Sequence, residues 1–244
     1  MEYKKIENGT FLARPNRFVA HVLIHGEEQI VHVKNTGRCR EILQPGARVY
    51  LEDYEGNIRN RKTRYSLVAA EKPDEEVESG YRLINIDSQA PNKAVGEALA
   101  SGDIPLPGFE DGLFFIKAEQ CFGSSRFDFY VEGHSRQKAF IEVKGVTLED
   151  HGIVRFPDAP TIRGVKHIYE LVQALGQGYK AFVIFVIQME DVRYFEPNDE
   201  THAAFGQVLR EAAGKGVIPL AFDCHVTESS MKIRKAVPVL LDRP

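Results

Sequence analysis

The sequence predicts a mixed α/β chain in two parts, a small barrel of short strands followed by a mixed sheet flanked by helices. Three observations predict it. Short alternating apolar runs, punctuated by turn residues, fill about the first 70 positions. A polar, acidic stretch, Lys72 to Gly80, then breaks the pattern. Beyond it the order becomes helix, three strands, helix, strand, helix, strand, the pattern of a sheet covered by helices.

In the first part, Phe18 to Ile24 reads as a strand ending at a turn on Gly26, and Gln29 to Val33 alternates as a half-buried strand does. Arg48 to Asp53 and Thr63 to Ala69 continue the series, with turn signals at Asn8-Gly9, Pro45-Gly46 and Gly56-Asn57. About five short strands in so short a stretch point to an OB-fold-like barrel over residues 1–80. The acidic stretch is read as the linker that closes it.

The second domain, residues 81–244, opens with a short helix from Asn92 to Ala100, Asn92 serving as N-cap. Strand-like runs follow at 113–121, 125–132 and 138–147. Apolar residues at 162, 165, 168, 171, 172 and 175 predict a helix over Thr161 to Leu175. Lys180 to Met189 reads as a buried strand and Thr201 to Ala213 as an amphipathic helix ended by Gly214 and Gly216. Val217 to Val226 reads as a last strong strand, with 231–241 as a further one.

At 43% hydrophobic and 27% charged residues, the 244-residue chain has the profile of a soluble globular protein, which excludes disorder and fibrous classes. Cys39, Cys121 and Cys224 are dispersed and form no CxxC pair, so neither a disulfide framework nor a zinc site is expected. No apolar signal segment follows Met1-Glu2-Tyr3-Lys4-Lys5, and the run Ala181 to Ile187 is far too short to span a bilayer. The expectation is a cytoplasmic protein with no membrane partner.

The formal charge of −4 argues against a nucleic-acid partner only when taken whole. Residues 1–72 hold 13 Lys/Arg against 9 Asp/Glu, and the acidic stretch and second domain carry the excess of acid. Arg38, Arg40, Arg59, Arg61, Lys62 and Arg64 dominate the basic part, interleaved with Tyr50, Tyr54 and Tyr65. Cations for phosphates and aromatic faces for bases are the ingredients of an OB-fold nucleic-acid surface. A solvated basic face has the same composition.

Chemistry concentrates in Ser125 to Val131 and Phe140 to Gly145. Alternation puts Glu142 and Lys144 on one face of a strand, and Asp128 on the face opposite Phe127 and Phe129. A hairpin turning through His134-Ser135-Arg136 sets Asp128 across from Glu142. Opposed carboxylates repel unless compensated, and Mg²⁺ or Mn²⁺ held by one or two carboxylates compensates them. Lys144 beside them could orient a water or steady phosphate charge, the arrangement of metal-dependent phosphodiester hydrolysis. Glu-x-Lys also occurs as the wet face of an ordinary sheet.

Asp128, thirteen residues, then Glu142-Val143-Lys144 resembles the PD-(D/E)xK nuclease superfamily, with Phe127 where that pattern has Pro. More narrowly, the chain resembles the sugar fermentation stimulation protein A (SfsA) family. The motifs are His32 to Arg38, Pro91-Asn92, Ser125 to Phe129, Glu142 to Leu148 and Phe156 to His167. The resemblance implies an OB-fold joined to a nuclease-like domain, DNA binding, and a link to sugar (maltose) utilisation. It implies metal binding by Asp128, Glu142 and the Val143 carbonyl, with Lys144 as catalytic lysine and Glu97 as the acid that a helix often adds. Arg126, Arg163, Lys166 and His167 are candidate phosphate contacts, alongside Arg38, Arg40, Arg61, Lys62 and Arg64 of the barrel. Asn35, Thr36 and Arg38 flank Gly37 in a barrel loop that either touches nucleic acid or shapes a turn. The DNA is double- or single-stranded, and the oligomeric state is left open. A binding regulator without hydrolysis, and a single-strand or RNA-binding module, are the alternatives.

Overall fold

The computed structural model describes residues 1–35, 37–55 and 61–242, so the expectations for Thr36, Arg59 and the Gly56-Asn57 turn lie outside the described residues. The first sheet holds β1 (Ile6–Asn16), β2 (Val19–Ile24), β3 (Glu27–Val33), β4 (Arg48–Asp53), β5 (Tyr65–Pro73) and β6 (Tyr81–Asn85), in the order β3-β2-β1-β4-β5-β6. A parallel pairing of β3 with β5 closes the first five into a barrel, as expected of an OB-like fold. Closure removes the exposed edges that so small a sheet would otherwise present.

Two readings change here. Asn8-Gly9 is not a turn but lies inside β1. A Cβ on Gly9 would sit 2.6 Å from Val22 Cγ1 and 2.8 Å from the Leu23 carbonyl, so the glycine is there for close packing against β2. The acidic stretch is not a linker between domains. It is the hairpin connection between β5 and β6, with Arg82 Nε donating to Asp74 Oδ2 at 2.8 Å. The first sheet therefore runs on to Asn85.

The second domain opens with α1 (Ala90–Ser101), β7 (Leu113–Phe122), β8 (Ser125–Gly133) and β9 (Lys138–Val146). It continues through β10 (Leu148–Asp150), β11 (Ile153–Phe156), α2 (Ile162–Gly176), β12 (Lys180–Ile187), β13 (Tyr194–Pro197), α3 (Asp199–Gly214), β14 (Ile218–Val226) and β15 (Met231–Ala236). Its main sheet has the order β15-β14-β12-β9-β8-β7, mixed as expected. β9, β12 and β14 are parallel, while β8 runs antiparallel to β9. The short strands β10, β11 and β13 form a separate sheet that the sequence did not disclose.

Val95 and Leu99 of α1 belong to the same apolar cluster as Phe182 and Ile184 on one face of this sheet. α2 and α3 cover the other face, where Ile168, Leu171, Phe205 and Leu209 meet Val183 and Phe185. Covered on both sides, β12 reads as a continuous apolar run. Thr161 caps α2 by accepting the Gly164 N–H at 3.0 Å. Asn92 does not cap α1, which begins two residues earlier. Asp87 receives the Gln89 N–H at 2.9 Å there, with Pro91 in the first turn. Among the described residues no helix is long and apolar enough to cross a membrane, and the three cysteines are free thiols.

Candidate metal centre

β9 lies where the parallel and antiparallel halves of the sheet meet, between β12 and β8. The β8–β9 ladder ends with the pair Phe129 and Ile141. The next residue, Asp128, replaces the ladder with its side chain. Its Oδ2 accepts the Val143 N–H at 2.7 Å, and its Oδ1 accepts from Asn92 Nδ2 of α1 at 2.7 Å. Strict alternation fails at this point. Phe129 meets Gly96 of α1, where even a Cβ would lie 3.3 Å from the ring, whereas Phe127 packs at an angle against Phe140 and edge-on to His167 on the α2 side.

Glu142 is buried at 3% exposure. Its Oε1 accepts from His167 Nδ1 at 2.5 Å and from Lys144 Nζ. Arg163 Nε donates to His167 Nε2 at 3.3 Å, so Nε2 is the acceptor and Nδ1 carries the proton given to Glu142. The other carboxylate oxygen, Oε2, is buried with no hydrogen-bond partner among the described residues. Burial and the neighbouring Glu142 charge push the Asp128 carboxyl above its ordinary range. Burial works the same way on Glu142, but the His167 hydrogen bond and the Lys144 charge outweigh it and hold that carboxyl low.

An orphaned buried carboxylate oxygen next to a second, repelled carboxylate is a donor set for a hard divalent cation. Among the described residues no three His, Cys, Asp or Glu side chains group as a metal cage. The candidate donors are the two carboxylates and nearby backbone.

The expected helix acid is not at this centre. Glu97 is paired with the N-terminal amine at 2.5 Å, and its side chain is 61% exposed. Five residues separate it from Asn92, a rotation of roughly 140° past whole turns, so the two point to different sides of α1. Asn92, a neutral amide, takes the place by Asp128. His167 also moves from its expected role. It is buried and serves Glu142, so it is not a phosphate contact. Arg163 and Lys166 are exposed on the same helix, and Arg126 is 57% exposed beside Glu119 at 3.4 Å. Val143 stands in register with Ile184 of β12, its N–H on Asp128.

The barrel cations divide. Arg64 grips Asp53 twice, at 2.7 and 2.8 Å, and also reaches Glu55 at 2.9 Å. Arg61 lies 3.6 Å over the Tyr54 ring, while Tyr50 and Tyr65 are buried and offer no stacking face. Lys62 is exposed, and Arg38 and Arg40 are exposed without an ion pair among the described residues. The barrel is tied to the centre by Lys34. Its Nζ bonds the buried Asp87 at 3.0 Å, and Asp87 in turn anchors the start of the helix that carries Asn92. Neither Asn92 nor this clasp was foreseen. Asn92 and Lys34 carried a signal only through their place in the motifs Pro91-Asn92 and His32 to Arg38, and Asp87 lies in neither.

Two family descriptions match the chain: "SfsA N-terminal OB domain" over residues 12–78 and "Sugar fermentation stimulation protein RE domain" over residues 89–230. A sugar fermentation stimulation protein homolog of Desulfitobacterium hafniense is 52% identical over 241 residues, covering 99% of both chains. One from Ruminiclostridium cellulolyticum is 51% identical over 99% of this chain and all of its own. A solved structure of Pyrococcus furiosus SfsA in complex with Ca²⁺ superposes with a TM-score of 0.83, at 28% identity and 98% coverage of each chain.

Proposed function

The chain belongs to the sugar fermentation stimulation protein (SfsA) family, and from that premise we propose that it is a DNA-binding, Mg²⁺- or Mn²⁺-dependent phosphodiester hydrolase. The observation that carries the reading is the pair of half-buried Asp128 and buried Glu142, with Glu142 Oε2 unpartnered among the described residues and Lys144 alongside. The family relative described with Ca²⁺ supports a hard-cation site on this fold. When bound, the cation would polarise a phosphate oxygen and make a water more acidic. Asp128 and Glu142 would hold it. Asn92 orients Asp128, and His167 orients Glu142 through one oxygen, leaving the other without a partner among the described residues. Lys144 is placed to orient the attacking water or to steady charge on the phosphate.

Purified chain with labelled DNA and Mg²⁺ or Mn²⁺ should release cleaved product. Asp128→Ala, Glu142→Ala and Lys144→Ala should each abolish it while the circular dichroism spectrum stays native. A wild type that cuts no form of DNA or RNA sinks the proposal.

Two observations favour a second reading, a DNA-binding regulator that retains the scaffold without hydrolysis. Asn92 brings a neutral amide where a helix acid would add a third charge, and Phe127 replaces the Pro of the superfamily pattern. A tie to sugar (maltose) metabolism would then run through nucleic-acid binding. Strongly salt-dependent binding without cleavage identifies this case.

A further inference from the structure

We infer that the barrel carries a single-strand track, formed by Arg17, Phe18, Arg38 and Arg40, that delivers an unpaired nucleic-acid strand to the crevice beside the metal centre. The delivery point rests on the hydrolase reading; the track itself does not. The groove is about 450 Å³ and is lined by Arg14, Arg17, Arg38 and Arg40. Its four arginines differ in use. Arg14 is spent on backbone carbonyls, donating to Asn35 at 2.6 Å, Arg38 at 2.8 Å, Arg17 at 2.8 Å and Gly37 at 2.9 Å. One guanidinium therefore clamps the β1–β2 turn to the loop after β3 and sets Arg17 and Arg38 on a common rim. Arg17, Arg38 and Arg40 are exposed and have no ion pair among the described residues, unlike Arg64. The acids nearby are Asp158, which accepts the Arg38 N–H at 3.2 Å, and Glu41.

Phe18 supplies the second ingredient. Its ring is 47% exposed at the same turn, with the Arg17 guanidinium 4.8 Å from its centroid. An exposed ring among free cations offers stacking to a base, and only an unpaired base can take it. Gly37 lines both this groove and a second, polar crevice of about 140 Å³ between the domains. That crevice lies at the carboxyl ends of the parallel strands β9 and β12, against Gly145, Thr147 and Gln188, where open α/β sheets bind ligands. Gly145 directly follows Lys144. At about 140 Å³ the crevice is far too small for a duplex.

The test is fluorescence anisotropy of the full chain with labelled oligothymidylate, oligouridylate and a matched hairpin duplex, in EDTA so that nothing is cut. Single strands should bind more tightly than the duplex. The triple variant Arg17→Ala/Arg38→Ala/Arg40→Ala should weaken single-strand binding at least about tenfold and lower the log–log salt slope by about 2, at roughly 0.7 per lost phosphate contact. Phe18→Ala should weaken it about tenfold with the slope unchanged. Lys215→Ala, on the far end of α3, should change neither. Preference for duplex, or a triple variant that binds as the wild type does, overturns the track. Cleavage is read separately with Mn²⁺. A chain that grips strands through these arginines and never cuts defeats the hydrolase reading alone, and one that cuts but ignores the arginine changes defeats the track alone.

Discussion

Asp53 in the barrel is buried and Asp128 in the second domain is half-buried, and their surroundings treat the two carboxylates in opposite ways. Asp53 receives Arg64 at 2.7 and 2.8 Å, Lys5 at 2.7 Å and the Glu55 N–H at 2.9 Å. The Arg64 hydrogen bonds, opposed by burial and aided by Lys5, hold it far below the usual carboxylate range. Asp128 has an amide, a backbone N–H and another carboxylate for company, and is pushed up. The difference separates charge that holds a fold from charge kept in reserve. A carboxylate whose neighbours fully satisfy it has nothing left for a ligand. One left short of positive charge, next to an orphaned Glu142 oxygen, is stable only at a cost that a cation relieves.

The largest effect should come from removing that reserve. Glu142→Gln should lower nuclease activity at least about 100-fold, because it removes a ligand charge and not merely a supporting contact. The same variant should abolish the rise in Tm on adding Mn²⁺. At a metal concentration of about 100 times Kd, the wild type should gain about 2.7 kcal/mol. Asp53→Asn should leave that gain intact. A Mn²⁺ response that survives Glu142→Gln would mean the cation sits elsewhere.

Next in size is the support of Glu142. His167→Ala leaves both carboxylates in place but frees the Glu142 side chain, and should cost about 10–100-fold in metal affinity, read by calorimetry. His167→Asn, which can still donate to Oε1, should recover part of it. An unchanged affinity would reduce His167 to a packing residue beside Phe127.

His167 also shows where the sequence stopped being informative. Helical spacing placed Arg163, Lys166, His167 and Glu170 on one face of α2, and they do share a side. Spacing does not say how far that face turns toward the sheet, and His167 and Glu170 are buried where Arg163 and Lys166 are not. The Asp128 and Glu-x-Lys pairing was legible because hairpin register follows from strand alternation. The break in the ladder at Asp128 was not, since it depends on Asn92 arriving from a helix that lies 36 residues earlier in the chain. In the barrel, strand number and closure followed from turn residues, yet Asn8-Gly9 misled. A glycine required for close approach has the same letter as one required for a turn. Tyr50 and Tyr65 misled similarly, because strand aromatics read alike whether they face a core or a base.

The smallest effect tests the structural side of the comparison. Asp53→Asn removes the charge that binds Lys5 and Arg64, both partly exposed, so screening limits the loss and Tm should fall by only about 2–4 °C at neutral pH. The pH dependence carries the sharper information. A carboxyl held low in the fold stabilises it in full above its unfolded pKa, near 3.9, and that contribution fades as pH falls toward the folded value. The Tm gap between wild type and Asp53→Asn should therefore be constant from neutral pH to about 5 and shrink steadily below about 4. Asp128→Asn should behave in the opposite sense. Its carboxyl is raised, so ionisation in the fold is unfavourable, and removing the charge should leave the metal-free protein at least as stable near neutral pH. If both variants lost stability equally, with the same acid profile, Asp128 would be satisfied as fully as Asp53, and the argument for a cation at the second site would lose its electrostatic basis.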